Sequence, residues 1–139
     1  MNIGMRIHGG ITRRNPQKSL KFYAREKYDK NNIDFPFFSK TKINRFIVES
    51  MQESGGGQAL IEDVVAQEIV KNLNLETQKF QATNVFINGE YWGIHNIRER
   101  LDENYLSYKF NLHKDSFDLI DGEPTYDYEP IHGSNQDYI

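Results

Sequence analysis

The sequence predicts an α+β fold in which one main helix and a short second helix accompany a mainly antiparallel sheet. Three observations lead to this prediction: short segments alternate apolar and polar residues, a longer segment repeats apolar residues at spacings of three and four, and Asn88-Gly89 separates two apolar runs. Alternation is typical of half-buried strands, and spacings of three and four are typical of amphipathic helices. A length of 139 residues fits one domain, so we expect residues 1–139 to form a single domain.

The predicted strands begin close to the N-terminus. Residues 3–8 and 19–25 alternate apolar and polar side chains, and the turn-rich loop between them predicts an antiparallel pair. Residues 44–49 predict a third strand, and residues 117–120 predict a short strand near the C-terminus. The clearest signal lies in residues 83–99, because an Asn-Gly pair between apolar runs is the strongest short-range marker of a β-hairpin.

Two segments have the features of helices. Residues 59–73 place apolar side chains on one face, which predicts the main helix. Its first turns contain Glu62 and Asp63, and acidic residues there suit the positive end of the helix dipole. Residues 102–110 predict the short helix, with Asp102 as its N-cap.

Charge is distributed unevenly along the chain, although the formal net charge is only −3. Residues 1–45 contain 11 Lys and Arg against 3 acidic residues, a net charge of +8, whereas residues 46–139 contain 6 against 17, a net charge of −11. This asymmetry predicts either a site for an anionic partner in the basic part or internal pairing of the two parts. Nucleic-acid domains are usually basic overall, so a pI of about 5.8 disfavours nucleic acid as the partner.

Composition excludes several other classes of site. The chain has no cysteine, which excludes disulfides, thiolate metal sites and thiol nucleophiles. No run approaches the roughly 20 apolar residues of a membrane span, and the N-terminal residues lack the pattern of a signal peptide. The four histidines are too scattered to predict a metal site. Residues 115–139 contain no Lys or Arg, and we expect them to form an acidic, poorly ordered tail.

The most suggestive chemistry lies in residues 6–18, which join the first two predicted strands through a loop with glycines and several basic side chains. Glycines allow backbone N–H groups to approach an anion, and Arg and Lys add charge-assisted hydrogen bonds to phosphate oxygens. The segment is neither a Walker loop nor a dinucleotide-binding fingerprint. It predicts a phosphate site, and a solvated basic hairpin tip remains the alternative interpretation.

Three blocks of sequence carry a resemblance to a known family. They are Arg6-Ile-His-Gly-Gly-Ile-Thr-Arg13 with Gln17-Lys18-Ser19, then Glu62-Asp63, and Val85-Phe-Ile-Asn-Gly-Glu-Tyr-Trp-Gly-Ile94 continuing through Arg98-Glu99-Arg100-Leu101-Asp102. Together they resemble the CotH-type spore-coat protein kinase family, in particular the variant frequent in Bacteroides-like bacteria. His8 and Glu62 depart from the pattern, since the family often has Arg at both positions. The acidic metal-binding and catalytic motifs of the family's C-terminal half have no counterpart in this chain.

The resemblance implies that the chain is the N-terminal part of a larger CotH-like protein and corresponds to the nucleotide-covering lobe of an atypical protein kinase. It implies that Arg6, Arg13 and Lys18 contact the phosphates of ATP, and that Glu99 orients Lys18 as the Lys–Glu pair of protein kinases does. A plain salt bridge is the alternative role for Glu99. Asp63 is expected to be a helix cap or a structural contact to the basic hairpin.

The same resemblance implies cofactors and partners for the full-length protein: ATP, Mg²⁺ and a protein substrate phosphorylated on Ser or Thr. The catalytic residues would lie outside this chain, which alone is expected to be inactive. An extracellular or cell-surface location is also implied. The alternative function is a non-catalytic cell-surface or coat-associated interaction module, suggested by the incomplete catalytic set and by 18 aromatic residues (9 Phe, 8 Tyr and 1 Trp).

Overall fold

The computed structural model describes residues 1–38, 43–50, 61–121 and 129–138, and it divides the chain into two compact units. The first unit comprises Met1–Ile33 and Asn44–Arg100, and the second comprises Asp34–Ile43 and Leu101–Ile139. That the two units fold as one domain stays a prediction. No helix within the described ranges is long and apolar enough to span a bilayer.

The first unit contains a five-stranded sheet and the main helix. The elements in chain order are β1 (Gly4–Ile7), β2 (Leu20–Tyr23), β3 (Arg45–Ser50), α1 (Glu62–Val70), β4 (Phe80–Ile87) and β5 (Glu90–Glu99). The order of strands across the sheet is β1-β2-β3-β5-β4, and every neighbouring pair is antiparallel. The predicted α+β class with a mainly antiparallel sheet is therefore confirmed.

The β4–β5 hairpin forms where its sequence predicts it. Asn88 and Gly89 connect the strands with φ values of 53° and 86°, the left-handed region that a tight two-residue hairpin turn requires. The register shifts between Val85 and Phe86, as at a β-bulge. The long β5 strand pairs with β3 on its other side, so this hairpin forms two of the five strands.

Helix α1 is shorter than its sequence predicts. It begins at Glu62 and ends at Val70, while residues 59 and 60 of the predicted helix lie outside the described residues. Val64 is its one buried residue, whereas Val65 and Ile69 are 45% and 71% exposed. The helix therefore buries a narrow face, and the core of this unit is formed mainly by strand residues such as Leu20 and Val48.

The second unit contains α2 (Glu103–Phe110), β6 (Leu119–Asp121) and β7 (Glu129–His132), and β6 and β7 form a two-stranded antiparallel sheet. Asp102 caps α2, as predicted, because its carboxylate accepts hydrogen bonds from the backbone N–H groups of Asn104 and Tyr105. The sheet lies in the segment expected to be a poorly ordered tail; residues 122–128 of that segment lie outside the described residues.

Candidate anion-binding site

The loop between β1 and β2 is held in shape by its own basic side chain, Lys18. The loop contains a short 3₁₀ helix, Ile11–Arg14. The Lys18 ammonium donates hydrogen bonds to the carbonyl oxygens of Arg13 at 2.7 Å and of Asn15 at 2.5 Å. A lysine beside the C-terminal carbonyls of a helix satisfies acceptors that have no intrahelical partner. Lys18 thus closes the loop, while Arg13 remains exposed at its surface.

The end of this loop is also fastened to the start of β5, through Gln17. Its side-chain amide donates to the carbonyl oxygens of Trp92 at 3.2 Å and Ile94 at 3.0 Å. Gly93 lies between these two residues with a φ of 97°, and a Cβ atom there would collide with the Gln17 amide. Glycine is therefore required at position 93 both for its backbone conformation and for the space that Gln17 occupies.

A buried histidine makes a second connection between the loop and β5. His95 is 0% exposed, and its Nε2 lies 3.1 Å from the carbonyl oxygen of Lys18. Its Nδ1 lies 3.3 Å from the carbonyl oxygen of Gly93 and 3.5 Å from the side-chain amide nitrogen of Gln17. These bonds link the first and third sequence blocks, which are separated by more than 70 residues.

An open surface pocket of about 440 Å³ adjoins this connection. It is lined by Pro16, Gln17, Tyr91, Trp92 and Gly93. The pocket therefore combines the end of the loop with the aromatic residues that follow the hairpin turn.

Several positive charges converge on His8, which follows β1. Burial lowers the pKa of His8, and the positive charges of Arg100, Arg6 and Arg13 lower the pKa further. A second proton on the imidazole would be repelled by these guanidinium groups, so the neutral form is favoured. The positive charges of Arg6 and Arg13, two of the predicted phosphate-binding residues, therefore both influence His8.

Three basic residues and Ile47 form one row across the sheet, on the same face. Arg6 in β1 is paired with Lys21 in β2, Lys21 is paired with Ile47 in β3, and Ile47 is paired with Arg98 in β5. Directly paired residues of antiparallel strands project from the same face. Sequence reasoning missed Lys21 and Arg98, because alternation shows which residues of one strand share a face but not which residues of distant strands are aligned.

Arg98 is held by two carboxylates from different elements. The residue is 7% exposed, and its guanidinium donates to Glu49 of β3 at 2.6 Å and to Asp63 of α1. Burial alone would raise the pKa of Asp63, but hydrogen bonds from Arg98 and Gln67 outweigh it, so the pKa lies below the usual range. Asp63 is thus a structural contact to β5. It is not the helix cap, because the N-cap residue is Ile61 and no side-chain cap bond forms there.

The contacts described for Glu99 and Lys18 do not bring these two residues together. The Glu99 carboxylate accepts a hydrogen bond from the backbone N–H of Lys79 at 3.2 Å. Glu99 is paired with Phe46 at one end of β3, whereas His95, which bonds Lys18, is paired with Ser50 at the other. Four residues of extended strand separate these ends by about 13 Å.

Among the residues that the structure describes, no group of three or more His, Asp or Glu side chains could hold a metal ion. The two carboxylates nearest the basic row, Glu49 and Asp63, bond to Arg98. The positive charge of this site suits an anion, and the described geometry gives Mg²⁺ no oxygen cage of its own.

Comparison with known proteins supports the resemblance carried by the three sequence blocks. The family model described as CotH kinase protein matches residues 5–138, nearly the whole chain. No curated protein matches the chain. The predicted resemblance is thus confirmed at the level of the family, and the likeness to the Bacteroides-like variant stays a prediction.

Proposed function

The chain belongs to the CotH kinase protein family, and we propose that it is the N-terminal part of an atypical protein kinase in which it contacts the phosphates of the nucleotide. The parent would transfer phosphate from ATP to Ser or Thr of a protein substrate. Membership of the family supports a kinase-related role in general. The observation that carries the finer proposal is the convergence of Arg6, Arg13 and Arg100 on His8.

The arrangement suits phosphate chemistry for an electrostatic reason. Phosphoryl transfer involves little covalent work by the protein, so catalysis depends on positioning and on cations that stabilise the charge of the phosphate oxygens. Arg6 and Arg13 have exposed side chains, and a guanidinium can form paired hydrogen bonds with phosphate oxygens. Two of the three Lys18 donors bond to Arg13 and Asn15, which leaves one donor for a phosphate oxygen.

An ion pair between a helix carboxylate and a basic strand residue also supports the proposed kinase-related role. Protein kinases place their phosphate-binding Lys by an ion pair with a helix Glu. Here the pair formed by a helix and a strand is Asp63 with Arg98. We therefore propose Asp63 and Arg98 as the helix–strand ion pair, in place of the pair of Glu99 with Lys18 that the resemblance implied.

In this proposal ATP and Mg²⁺ are cofactors of the full-length protein, and the carboxylates that hold the metal lie outside the residues described here. The isolated chain contributes phosphate contacts and has no transferase activity of its own. Mg²⁺, when bound with ATP, supplies further charge neutralisation at the phosphates. The proposed location of the full-length protein is extracellular or at the cell surface.

Calorimetric titration of the full-length protein with ATP and Mg²⁺ tests the proposal. We expect the double variant Arg6→Ala/Arg13→Ala to bind ATP about 10- to 100-fold more weakly than the wild type, because two charge-assisted contacts are removed. The matched control is Lys27→Ala/Lys30→Ala, which removes the same charge from exposed positions elsewhere in this unit. Equal affinities for the two double variants, or no ATP binding by the wild type, would refute the proposal.

A non-catalytic interaction module is the second candidate function, and exposed apolar side chains favour it. Ile61, Val65 and Ile69 lie at helical spacing beside and within α1 and are exposed, as are Phe86 and Tyr91 near the hairpin turn. Exposed apolar groups of this kind mark surfaces that other proteins cover. Incubation of the full-length protein with radiolabelled ATP separates the two functions, since phosphate incorporation supports the kinase and its complete absence despite correct folding supports the module.

A further inference from the structure

The two edges of the five-stranded sheet differ in their protection against pairing with another strand. The edge strand β1 has four residues, one of which is the charged Arg6. The other edge strand, β4, has eight residues and contains no charge, proline or glycine. Free N–H and C=O groups on an edge recruit other strands, and natural proteins limit this with short edges, charges, proline or bulges. The register shift between Val85 and Phe86 protects one end of β4 and leaves residues 80–85 regular.

The side chains of β4 are accessible on both faces of the sheet. Phe80 and Phe86 are 41% and 63% exposed, and the residues exposed between them are Gln81, Ala82 and Asn84. Among the strands that the structure describes, β4 pairs only with β5. Within this described part of the chain, the outer edge of β4 is therefore open to a further strand.

The hydrogen bonds to β5 show which residues of β4 face the open edge. The backbone N–H of Glu99 donates to the carbonyl oxygen of Lys79 at 3.3 Å. In an antiparallel ladder, hydrogen-bonded pairs alternate with pairs whose N–H and C=O groups point away from each other. In the register of β4 on β5, Phe80, Ala82 and Asn84 therefore direct their N–H and C=O groups outward. These three residues form the hydrogen-bonding edge that a partner strand would meet.

We propose that β4 is the contact between two copies of this chain, which pair edge to edge as antiparallel strands about a twofold axis. In a ladder between the copies, hydrogen-bonded pairs join outward-directed residues of both strands. The register that uses all three places Ala82 opposite Ala82 of the second copy, and Phe80 opposite Asn84. The two five-stranded sheets then form one continuous sheet. This inference goes beyond the proposed function and applies equally to a kinase and to a non-catalytic module.

The composition of β4 favours a second copy as the occupant. A twofold contact brings identical strands together, and like charges that face each other destabilise a sheet. β4 has no charge, and Lys79, which precedes it, faces Val85 in this register rather than a second Lys79. Ala82, the smallest side chain of the strand, lies on the axis, where identical side chains meet. Gln81 faces Thr83, a polar pair that can hydrogen-bond. The strand is therefore compatible with itself in charge, size and polarity.

Sedimentation velocity of the full-length protein across a series of concentrations tests for the dimer. Ala82→Lys places two like charges on the axis, and we expect it to raise the dissociation constant of the dimer by about 100-fold or more. Met5→Lys is the matched control, because it adds the same charge at an exposed position of the other edge strand and should leave the dissociation constant unchanged. A dimer that Ala82→Lys leaves intact refutes the inference. So does a protein that is monomeric at every concentration, which would leave this edge to a strand of a different chain.

Cysteine crosslinking tests the register and does not depend on the folding of Ala82→Lys. Hydrogen-bonded antiparallel pairs place their Cα atoms about 5.5 Å apart, within the range of a disulfide. The chain has no cysteine of its own, so Ala82→Cys should give a disulfide-linked dimer on mild oxidation. Asn84→Cys is the control, because four residues of extended strand, about 13 Å, separate it from its counterpart on the second copy. Crosslinking of both variants to the same extent, or of neither, would contradict the proposed pairing.

Discussion

The loop between β1 and β2 and helix α1 belong to the same unit, but they are held in different ways. The loop is fixed by hydrogen bonds from Lys18, Gln17 and His95 to backbone carbonyls. Helix α1 buries one side chain, Val64, and is joined to β5 through the ion pair of Asp63 with Arg98. Hydrogen bonds to backbone carbonyls therefore define the region proposed to contact phosphate, while the helix is joined to β5 by an ion pair and, through Gln67, accepts a hydrogen bond from the backbone N–H of Gln78.

The largest loss of stability is expected when the ion pair of Asp63 with Arg98 is removed. Arg98→Met should destabilise the protein by about 2 to 4 kcal/mol, because Glu49 and Asp63 lose their shared cation and then repel each other. The value is below that for a fully buried pair, since both carboxylates are partly exposed. Urea unfolding measures the change, with the exposed Arg14→Met as the control. A loss no larger than that of the control would show that α1 is held by other contacts.

The connection between the loop and β5 should give the next largest effect. Gly93→Ala should cost about 1 to 3 kcal/mol, because alanine is strained at a positive φ and its Cβ collides with Gln17. Gln17→Ala removes the collision, so the double variant should be more stable than the sum of the single losses predicts. A double-mutant cycle by thermal unfolding measures this coupling. Strict additivity would contradict the described contact between the two residues.

The cluster around His8 predicts a dependence of stability on pH. The pKa of His8 is lowered in the folded state, so below the unfolded pKa of about 6.5 the unfolded chain binds more protons than the folded one. The free energy of unfolding is therefore highest, as far as His8 determines it, above about pH 6.5. It decreases as the pH falls through the unfolded pKa of His8 toward the folded one. Urea unfolding across this range should show a smaller decline for His8→Gln than for the wild type. An identical decline in the free energy of unfolding for the two proteins would mean that the pKa of His8 is not lowered by folding.

The smallest effect is expected on the exposed side of α1. Val65→Ser and Ile69→Ser should each change the free energy of unfolding by less than about 0.5 kcal/mol, because both side chains are already largely in water. Val64→Ala, one position away and buried, should cost about 1 to 2 kcal/mol and is the matched comparison. Equal losses at the three positions would indicate that the apolar side of α1 is covered in solution.

Local signals in the sequence were enough to predict much of the fold. Asn88-Gly89 predicts the hairpin because its turn requires positive φ, and Asp102 predicts α2 because its carboxylate caps the helix. Strand β7 was missed, since it is four residues long and contains Pro130, which cannot donate to a ladder. Helix α1 is shorter than predicted because helical periodicity does not show where a helix ends.

The candidate site could be predicted only in part, because it depends on contacts between distant segments. Glycines and basic residues in residues 6–18 indicate an anion site. The row from Arg6 through Lys21 to Arg98 depends on the register of four strands, which alternation within each strand does not specify. For the same reason, the separation between Lys18 and Glu99 was not apparent from their residue types.

The pKa of His8, measured by NMR with and without nucleotide, tests the central claim most directly. We expect saturating ATP, or inorganic tripolyphosphate, to raise the pKa of His8, because the bound phosphates offset the positive charges of Arg6, Arg13 and Arg100. The resonance of the His8 ring carbon, followed against pH, reports this one position. An unchanged pKa of His8 at saturation with ATP would contradict the account, because the phosphates would then bind away from this cluster.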